Sequence, residues 1–139
     1  MKRIVLEDFA GRWRLSRRIL DRRGRMTGRF EGLAAFTPDG AGLRYGETGT
    51  LRLGAARPVQ ATRSYLWRAE GEGIAVFFED GRPFHAFSAD MAEARHDCAP
   101  DVYLVRYGFG DWPVWSARWR VRGPAKDYVM LGLYRPEPA

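Results

Sequence analysis

Three charged residues stand where the sequence predicts an apolar, inward-facing surface. Arg17, Glu47 and Arg63 each lie two positions from an aromatic or aliphatic residue, in stretches where apolar and polar side chains alternate. Alternation of this kind places every second side chain on the same face of a β-strand. Because an unpaired charge is costly to bury, we expect these side chains to pair with one another or to meet a ligand. Two arginines facing one glutamate leave a positive charge, which suits a carboxylate or a phosphate.

The same predicted faces carry rings that could enclose such a ligand. Apolar rings combined with a few polar groups are typical of small-molecule sites. The sequence therefore predicts an internal site for a small, partly apolar and anionic molecule, formed by Arg17, Tyr45, Glu47, Arg63, Tyr65, Trp67, His85 and Tyr107. The alternative is that two of the charges form a structural pair while one arginine reaches solvent at the rim of the fold.

Acid–base catalysis by the same residues is a second hypothesis. Glu47 could serve as a base, and Tyr65 or His85 as an acid. Arg17 would then hold the anion that forms. The sequence contains no Gly-x-Ser-x-Gly, phosphate-loop or dinucleotide motif, so binding without chemistry is the first expectation and an enzyme the alternative.

Two histidines raise the question of a metal ion or a haem group. His85 and the run His96, Asp97, Cys98 contain ligand types that zinc accepts. Their spacing matches no standard metal motif, and one cysteine cannot form a cage of cysteines alone. A lone histidine in a barrel can also bind haem iron, and His85 would be the axial candidate. We expect no cofactor, with metal and haem as alternatives.

Short strands must position these residues. Period-two alternation from residue 11 to residue 135 predicts eight or nine of them, with no long helix. Asp80 and Gly81 predict a two-residue hairpin turn, and residues 89–95, where the alternation breaks, predict one helical turn. Glycines on the inner face of residues 26–36 predict a bend or a close approach of two backbones. Because a large sheet must hide its edges, we predict one all-β domain over residues 1–139, an antiparallel up-and-down barrel.

Charge and composition limit the expected partners. The 139 residues carry a net charge of +6, and 21 of the 23 basic residues are arginines. Acidic residues are interspersed with them, so nucleic acid is not the expected partner. If the last strand lies between the first and the penultimate one, a basic outer stripe would favour RNA or an anionic protein, which is the third hypothesis. Its members would be Arg12, Arg14, Arg18, Arg118, Arg120 and Arg122.

The expected location is the cytoplasm, with no membrane partner. No apolar run approaches the ~20 residues of a membrane helix, and the run after Arg3 is too short for a signal peptide. Trp112 stands between Asp111 and Pro113 in a predicted turn. An exposed ring there would favour a homodimer contact.

Two motifs resemble the signatures of lipocalins and other calycins. Residues 9–13, Phe-Ala-Gly-Arg-Trp, resemble the Gly-x-Trp motif that opens the first strand of those barrels. Residues 100–103, with Tyr107 beyond them, resemble the Asp-Tyr pair before a late strand. The resemblance implies a calycin-like barrel with a lumen, in which Trp13 closes one end and Arg135 covers its ring as a cation–π contact.

The absence of a secretion signal and of a disulfide pair narrows this resemblance. The chain is similar in these respects to cytosolic, bacterial calycin-like families of unknown function. The resemblance implies a lumen and leaves the identity of any ligand open, since function depends on the site and not on the fold.

Overall fold

In the computed structural model, which describes residues 3–138, the chain forms ten β-strands after one short 3-10 helix, Leu6–Phe9. Among these residues no helix is long and apolar enough to cross a membrane. The strands are β1 (Gly11–Asp21), β2 (Met26–Asp39), β3 (Gly42–Leu53), β4 (Val59–Glu70), β5 (Gly73–Phe77), β6 (Pro83–Phe87), β7 (Glu93–Cys98), β8 (Asp101–Asp111), β9 (Val114–Arg122) and β10 (Asp127–Pro136).

The strands form one antiparallel sheet that curls into a nearly closed barrel. Strand β1 pairs with both β2 and β10, so the order is β6-β5-β4-β3-β2-β1-β10-β9-β8-β7. The two edges, β6 and β7, are joined by a turn in which the Ser88 N–H donates to the Met91 carbonyl at 3.0 Å. The predicted antiparallel up-and-down barrel is confirmed, with ten strands rather than eight or nine.

Strand β7 begins within residues 89–95, the segment for which the sequence predicted a helical turn. That prediction is wrong because residues 93–98 also alternate: Ala94 packs against the core and His96 lines a pocket. The outward side chains of Arg95 and Asp97 bind each other at 2.9 Å. β7 is an edge strand that pairs by backbone hydrogen bonds with β8 alone. Its sequence therefore contains few apolar residues that would have indicated a strand.

One end of the barrel is closed by the 3-10 helix and by indole rings. Phe9 has no exposed surface, and its carbonyl accepts a hydrogen bond from Trp13 Nε1 at 2.9 Å. The ring of Trp112 lies 5.2 Å from that of Phe9 and 5.7 Å from that of Trp13. The expectation of an exposed Trp112 at a dimer contact is therefore corrected, since the ring packs within the closed end.

Arg135 does not cover Trp13, contrary to the expectation drawn from the calycin resemblance. Because Tyr134 is buried, the next side chain along β10 faces outward, where Arg135 lies opposite Arg14 of β1. The Cα partner of Trp13 on β10 is Pro136.

The other end of the barrel is open and is bordered by the connections β1–β2, β3–β4, β5–β6, β7–β8 and β9–β10. The turn predicted at Asp80 and Gly81 lies here, but it is longer than two residues. Strand pairing stops at Phe77 and Pro83, and the Phe78 N–H donates to the Arg82 carbonyl at 2.9 Å.

The predicted close approach of two backbones is found between β2 and β3. Gly32 and Gly49 are Cα partners, and a Cβ at Gly49 would lie 2.3 Å from the Glu31 carbonyl oxygen and 2.7 Å from the Gly32 Cα. Any side chain at this point would force the two strands apart.

We therefore expect Gly49→Ala to lower the free energy of unfolding by about 1–3 kcal/mol, as other overpacked sites do. Gly46→Ala is the matched control, since a Cβ there meets no atom within 4 Å. Urea unfolding of both variants measures the difference. Equal losses would contradict the close approach.

Candidate functional site

Arg17 and Glu47 form an ion pair inside the barrel, where their side chains are 7% and 4% exposed. They extend from β1 and β3, on either side of β2. Arg17 Nη1 donates to Glu47 Oε2 at 2.7 Å and Nη2 donates to Oε1 at 2.9 Å. The guanidinium also lies 5.3 Å from the ring centroid of Phe30 on β2. Two parallel hydrogen bonds between a guanidinium and a carboxylate are a strong and geometrically specific arrangement.

Two tyrosines extend this pair into a buried network. Tyr45 donates its hydroxyl hydrogen to Glu47 Oε1 at 2.5 Å, and the hydroxyl oxygens of Tyr45 and Tyr134 are 2.9 Å apart. The network thus links β1, β3 and β10 across the interior.

The charges of the network cancel. Burial disfavours the ionised form of Glu47, but the hydrogen bonds and charge of Arg17 outweigh it, so the pKa of Glu47 is lowered. The pKa of Arg17 is raised, because its bond to Glu47 outweighs its own burial. Burial raises the pKa of Tyr45 and of Tyr134, which remain neutral at pH 7. No net charge is left there for an anionic ligand.

Arg63 lies apart from this pair, so the prediction of a buried triad is corrected. It is the Cα partner of Glu47 across β3 and β4, yet its side chain is exposed and forms no ion pair with any carboxylate of residues 3–138. Arg17 and Tyr45 bind the carboxylate instead, while the exposed side chain of Arg63 reaches the rim, where solvent can stabilise its charge. The guanidinium of Arg63 lies instead beside Tyr65, whose pKa is raised by burial and partly lowered by that charge.

All eight residues of the predicted site line one interior cavity, together with Trp115, Tyr134 and other core side chains. Its volume is only about 30 Å³, which has room for about one or two water molecules. Rings fill the rest of the lumen: Trp115 and Tyr134 stack at 3.7 Å between centroids. A drug-sized ligand therefore does not fit at the depth that the sequence predicted.

A larger pocket of about 530 Å³ lies at the open end, and we call it the open-end pocket. Stacked rings form one side of it: Phe84 lies 4.5 Å from Phe78 and 5.2 Å from Trp119 between centroids. Arg63 and Tyr65 line both this pocket and the small interior cavity. The other residues that line it are Arg82, Pro83, His96, Asp97, Cys98, Tyr103, Tyr128 and Met130.

Sequence analysis missed most of the open-end pocket. Trp119 is in phase with Trp115, and this spacing alone indicates a core position for both rings. Phe78 lies in the β5–β6 connection, where alternation gives no information about direction. A cluster of aromatic residues on both sides of the turn at residues 78–84 was the available signal.

His85 lines the small interior cavity and is neutral at pH 7. Its Nε2 is 2.8 Å from the hydroxyl of Tyr107, and burial, aided by the nearby His96, lowers the pKa of His85 to about 3. The buried atoms His85 Nδ1 and Trp115 Nε1 form no hydrogen bond with protein atoms of the described chain.

The alternatives of metal and haem find no matching arrangement. Within residues 3–138 no three His, Cys, Asp or Glu side chains converge as a metal site, so the set of His85, His96, Asp97 and Cys98 is wrong as a cluster. Cys98 is exposed. The ring of His85 opens onto a cavity of about 30 Å³, far smaller than a haem group.

The enzyme hypothesis depends on a carboxylate that belongs to the buried network. A general base must come within hydrogen-bond reach of the proton that it removes. Both oxygens of Glu47 are engaged, and the carboxylate is buried below the rings. The group that faces the open-end pocket with an available charge is Arg63.

These features define a class of protein: a nearly closed antiparallel barrel with a ring-filled interior and a pocket at one end. The chain belongs to DUF6314, a family of unknown function, whose sequence pattern matches residues 9–136. No curated protein matches the sequence.

A solved structure shares this fold at low sequence identity. An S-type phycobiliprotein lyase from Guillardia theta is 8% identical, with a TM-score of 0.66 over 96% of this chain and 91% of that one. A redesigned β-barrel bound to DFHBI is 12% identical, with a TM-score of 0.43 over 92% of this chain and 98% of that one. The first likeness confirms the lipocalin-like fold expected from the sequence.

The buried ion pair predicts strong coupling between its two members. Glu47→Leu leaves the charge of Arg17 buried without a carboxylate and should cost about 3–5 kcal/mol of unfolding free energy. The double variant Arg17→Met, Glu47→Leu should recover more than half of that loss, because it buries no charge. Denaturant unfolding of the two single variants and the double variant tests this coupling. Additive losses would show that the pair acts as two independent groups.

His85 predicts a loss of stability in mild acid. Because its pKa is about 3 when folded and 6.5 when unfolded, the unfolded chain binds the proton more readily between these values. The stabilising contribution of neutral His85 is complete above about pH 6.5 and falls by about 2 kcal/mol between pH 7 and pH 5. Glu47 stays ionised throughout that interval.

Urea unfolding at pH 7 and pH 5 measures the effect. His85→Gln should remove most of the loss, since glutamine does not titrate and can still bond to the Tyr107 hydroxyl. His96→Gln, the control at the chain's other histidine, should retain it. Parallel pH profiles for the wild type and His85→Gln would contradict the assignment.

Proposed function

We propose that the protein binds a small anion with an aromatic or other apolar body in the open-end pocket, with Arg63 holding the charged group. The observation that carries this proposal is the position of Arg63. Its guanidinium is exposed, has no carboxylate partner within residues 3–138, and stands beside an apolar pocket. The ligand class is the one expected from the sequence, but the proposed position is nearer the mouth.

The apolar part of the ligand would lie against the stacked rings. A volume of about 530 Å³ is within the range of about 300–1,000 Å³ that small-molecule sites occupy. Phe84 and Trp119 are nearly parallel, with 14° between their planes. A flat ligand can extend such a stack, because offset ring pairs contribute beyond the area that they bury.

Arg63 is the available cation of this pocket. The other arginine that lines it, Arg82, is held by Asp80 at 2.7 Å and lies over the Phe78 ring. A hydrogen bond to a charged group contributes more than a neutral one. A guanidinium without a carboxylate partner therefore favours a carboxylate, sulfonate or phosphate ligand over a neutral one.

The likeness to a phycobiliprotein lyase supports a binding role in general terms, because the two chains share the barrel. It does not select a ligand, since one fold serves many functions. The choice of an anion rests on Arg63 alone.

Two fluorescent probes that differ in charge test the proposal. The anion 8-anilinonaphthalene-1-sulfonate and its neutral parent N-phenyl-1-naphthylamine share one ring system. We expect the sulfonate to bind more tightly. Arg63→Gln should raise its Kd about tenfold, because a bond to a charged group contributes about 1.5 kcal/mol, and should leave the Kd of the neutral probe unchanged.

Arg68→Gln is the matched control. Arg68 is an exposed arginine on β4, and it does not line the pocket. Thermal unfolding of each variant verifies that the barrel is intact. Equal affinity for both probes, or equal effects of the two substitutions, would refute the role of Arg63.

A further inference from the structure

A row of arginines crosses the outer wall of the barrel. It follows a line of direct Cα partners on six adjacent strands, perpendicular to the strands, in which five of the six residues are arginines. Across β3, β2, β1, β10, β9 and β8 the partners are, in order, Arg52, Arg29, Arg18, Leu131, Arg118 and Arg106. We call the five arginines the outer arginine row.

Four of these arginines form no ion pair within residues 3–138, namely Arg18, Arg29, Arg52 and Arg118. The fifth, Arg106, binds Glu93 at 2.7 Å. Glu31, the next outward residue along β2 from Arg29, accepts a hydrogen bond from Ser16 Oγ at 3.0 Å instead. Like charges directly opposite each other destabilise a sheet. The row therefore costs stability in the free protein, and an anion that covers it would remove that cost.

Part of the row borders a shallow groove of about 570 Å³. Arg18, Arg29 and Arg52 line it together with Leu20 and Leu131, which are 47% and 48% exposed. None of the residues that line this groove is aromatic. The groove can therefore contact an anionic group and an aliphatic surface of a partner, but it has no aromatic ring on which a base could stack.

We propose that the outer arginine row binds the phosphodiester backbone of a single-stranded nucleic acid, without reading its sequence. Adjacent strands lie about 4.8 Å apart, so the five steps span about 24 Å. At 3.4 Å per stacked nucleotide this length corresponds to about seven nucleotides. Arginine suits the task because its planar guanidinium bonds to phosphate in a bidentate manner.

Curvature favours a strand over a membrane. The row extends over six of the ten strands, so it wraps about half of the barrel. A flat bilayer can touch only a part of such a row at one time. A flexible single strand can follow the convex wall and place successive phosphates against successive arginines. The interspersed acidic residues that made nucleic acid unexpected from the sequence lie mainly off this row.

Fluorescence anisotropy with fluorescein-labelled dT12 and U12 tests the proposal. Each of the four arginines without an ion pair is expected to neutralise one phosphate, which contributes about 0.7 to the slope of log Kd against log salt concentration. Raising the salt from 50 to 200 mM should then weaken binding about 50-fold. Arg29→Glu should weaken binding at least tenfold. Its melting temperature should not fall, because the carboxylate gains Arg18 and Arg52 as cross-strand partners.

Arg68→Glu is the control, with the same change in charge on the outer face of β4. It should change the affinity less than twofold, and Arg63→Gln should leave it unchanged, which separates this surface from the open-end pocket. Equal losses in Arg29→Glu and Arg68→Glu would overturn the proposal in favour of general attraction by net charge. Competition by polyglutamate of equal charge, or Arg29-dependent sedimentation with phosphatidylserine vesicles, would overturn it in favour of an acidic protein or a membrane.

Discussion

The interior of this barrel must be filled, and that constraint governs the rest of the structure. Eight strands already enclose room for a small ligand, and this barrel has ten. Rings fill the space: Phe9 alone lies within 6.0 Å of five other aromatic rings, between centroids. What remains at the centre is a cavity of about 30 Å³. Space for a ligand is therefore displaced to the open end, where a pocket of about 530 Å³ lies.

The buried pair of Arg17 and Glu47 fixes the register of the strands that surround this apolar core. Aromatic rings can slide past one another at little cost, whereas a bidentate ion pair in a dry interior has one geometry. A slip of one residue on β1 would turn Arg17 outward and leave Glu47 without its partner. The hydroxyls of Tyr45 and Tyr134 extend this constraint to β10, which pairs with β1 on the side opposite β2. The pair thus defines a single arrangement of strands more than it adds to stability.

Alternation predicts the direction of side chains but not their partners. It placed all eight predicted site residues around one cavity, since facing inward is a local property of a strand. It could not tell which arginine takes Glu47, because Arg17 and Arg63 have equivalent phases. The choice depends on how the barrel curves. Arg17 reaches across β2 to the carboxylate, while Arg63 can remain hydrated at the mouth. Connections and edge strands were predicted least well, because the position of Phe78, Trp112 and β7 depends on tertiary packing.

The consecutive residues Arg17 and Arg18 explain how the charge of the chain is divided. Because neighbours on a strand face opposite sides, one arginine enters the interior and the other the outer wall. Arg17 is neutralised by Glu47, so this buried pair contributes nothing to the net charge of +6. Arg18 joins Arg29 and Arg118 through cross-strand register. The register that the buried pair fixes on the inside therefore also aligns the arginines on the outside. The composition sets the size of the net charge. The pairing of the strands decides whether the arginines are dispersed over the surface or aligned in one row.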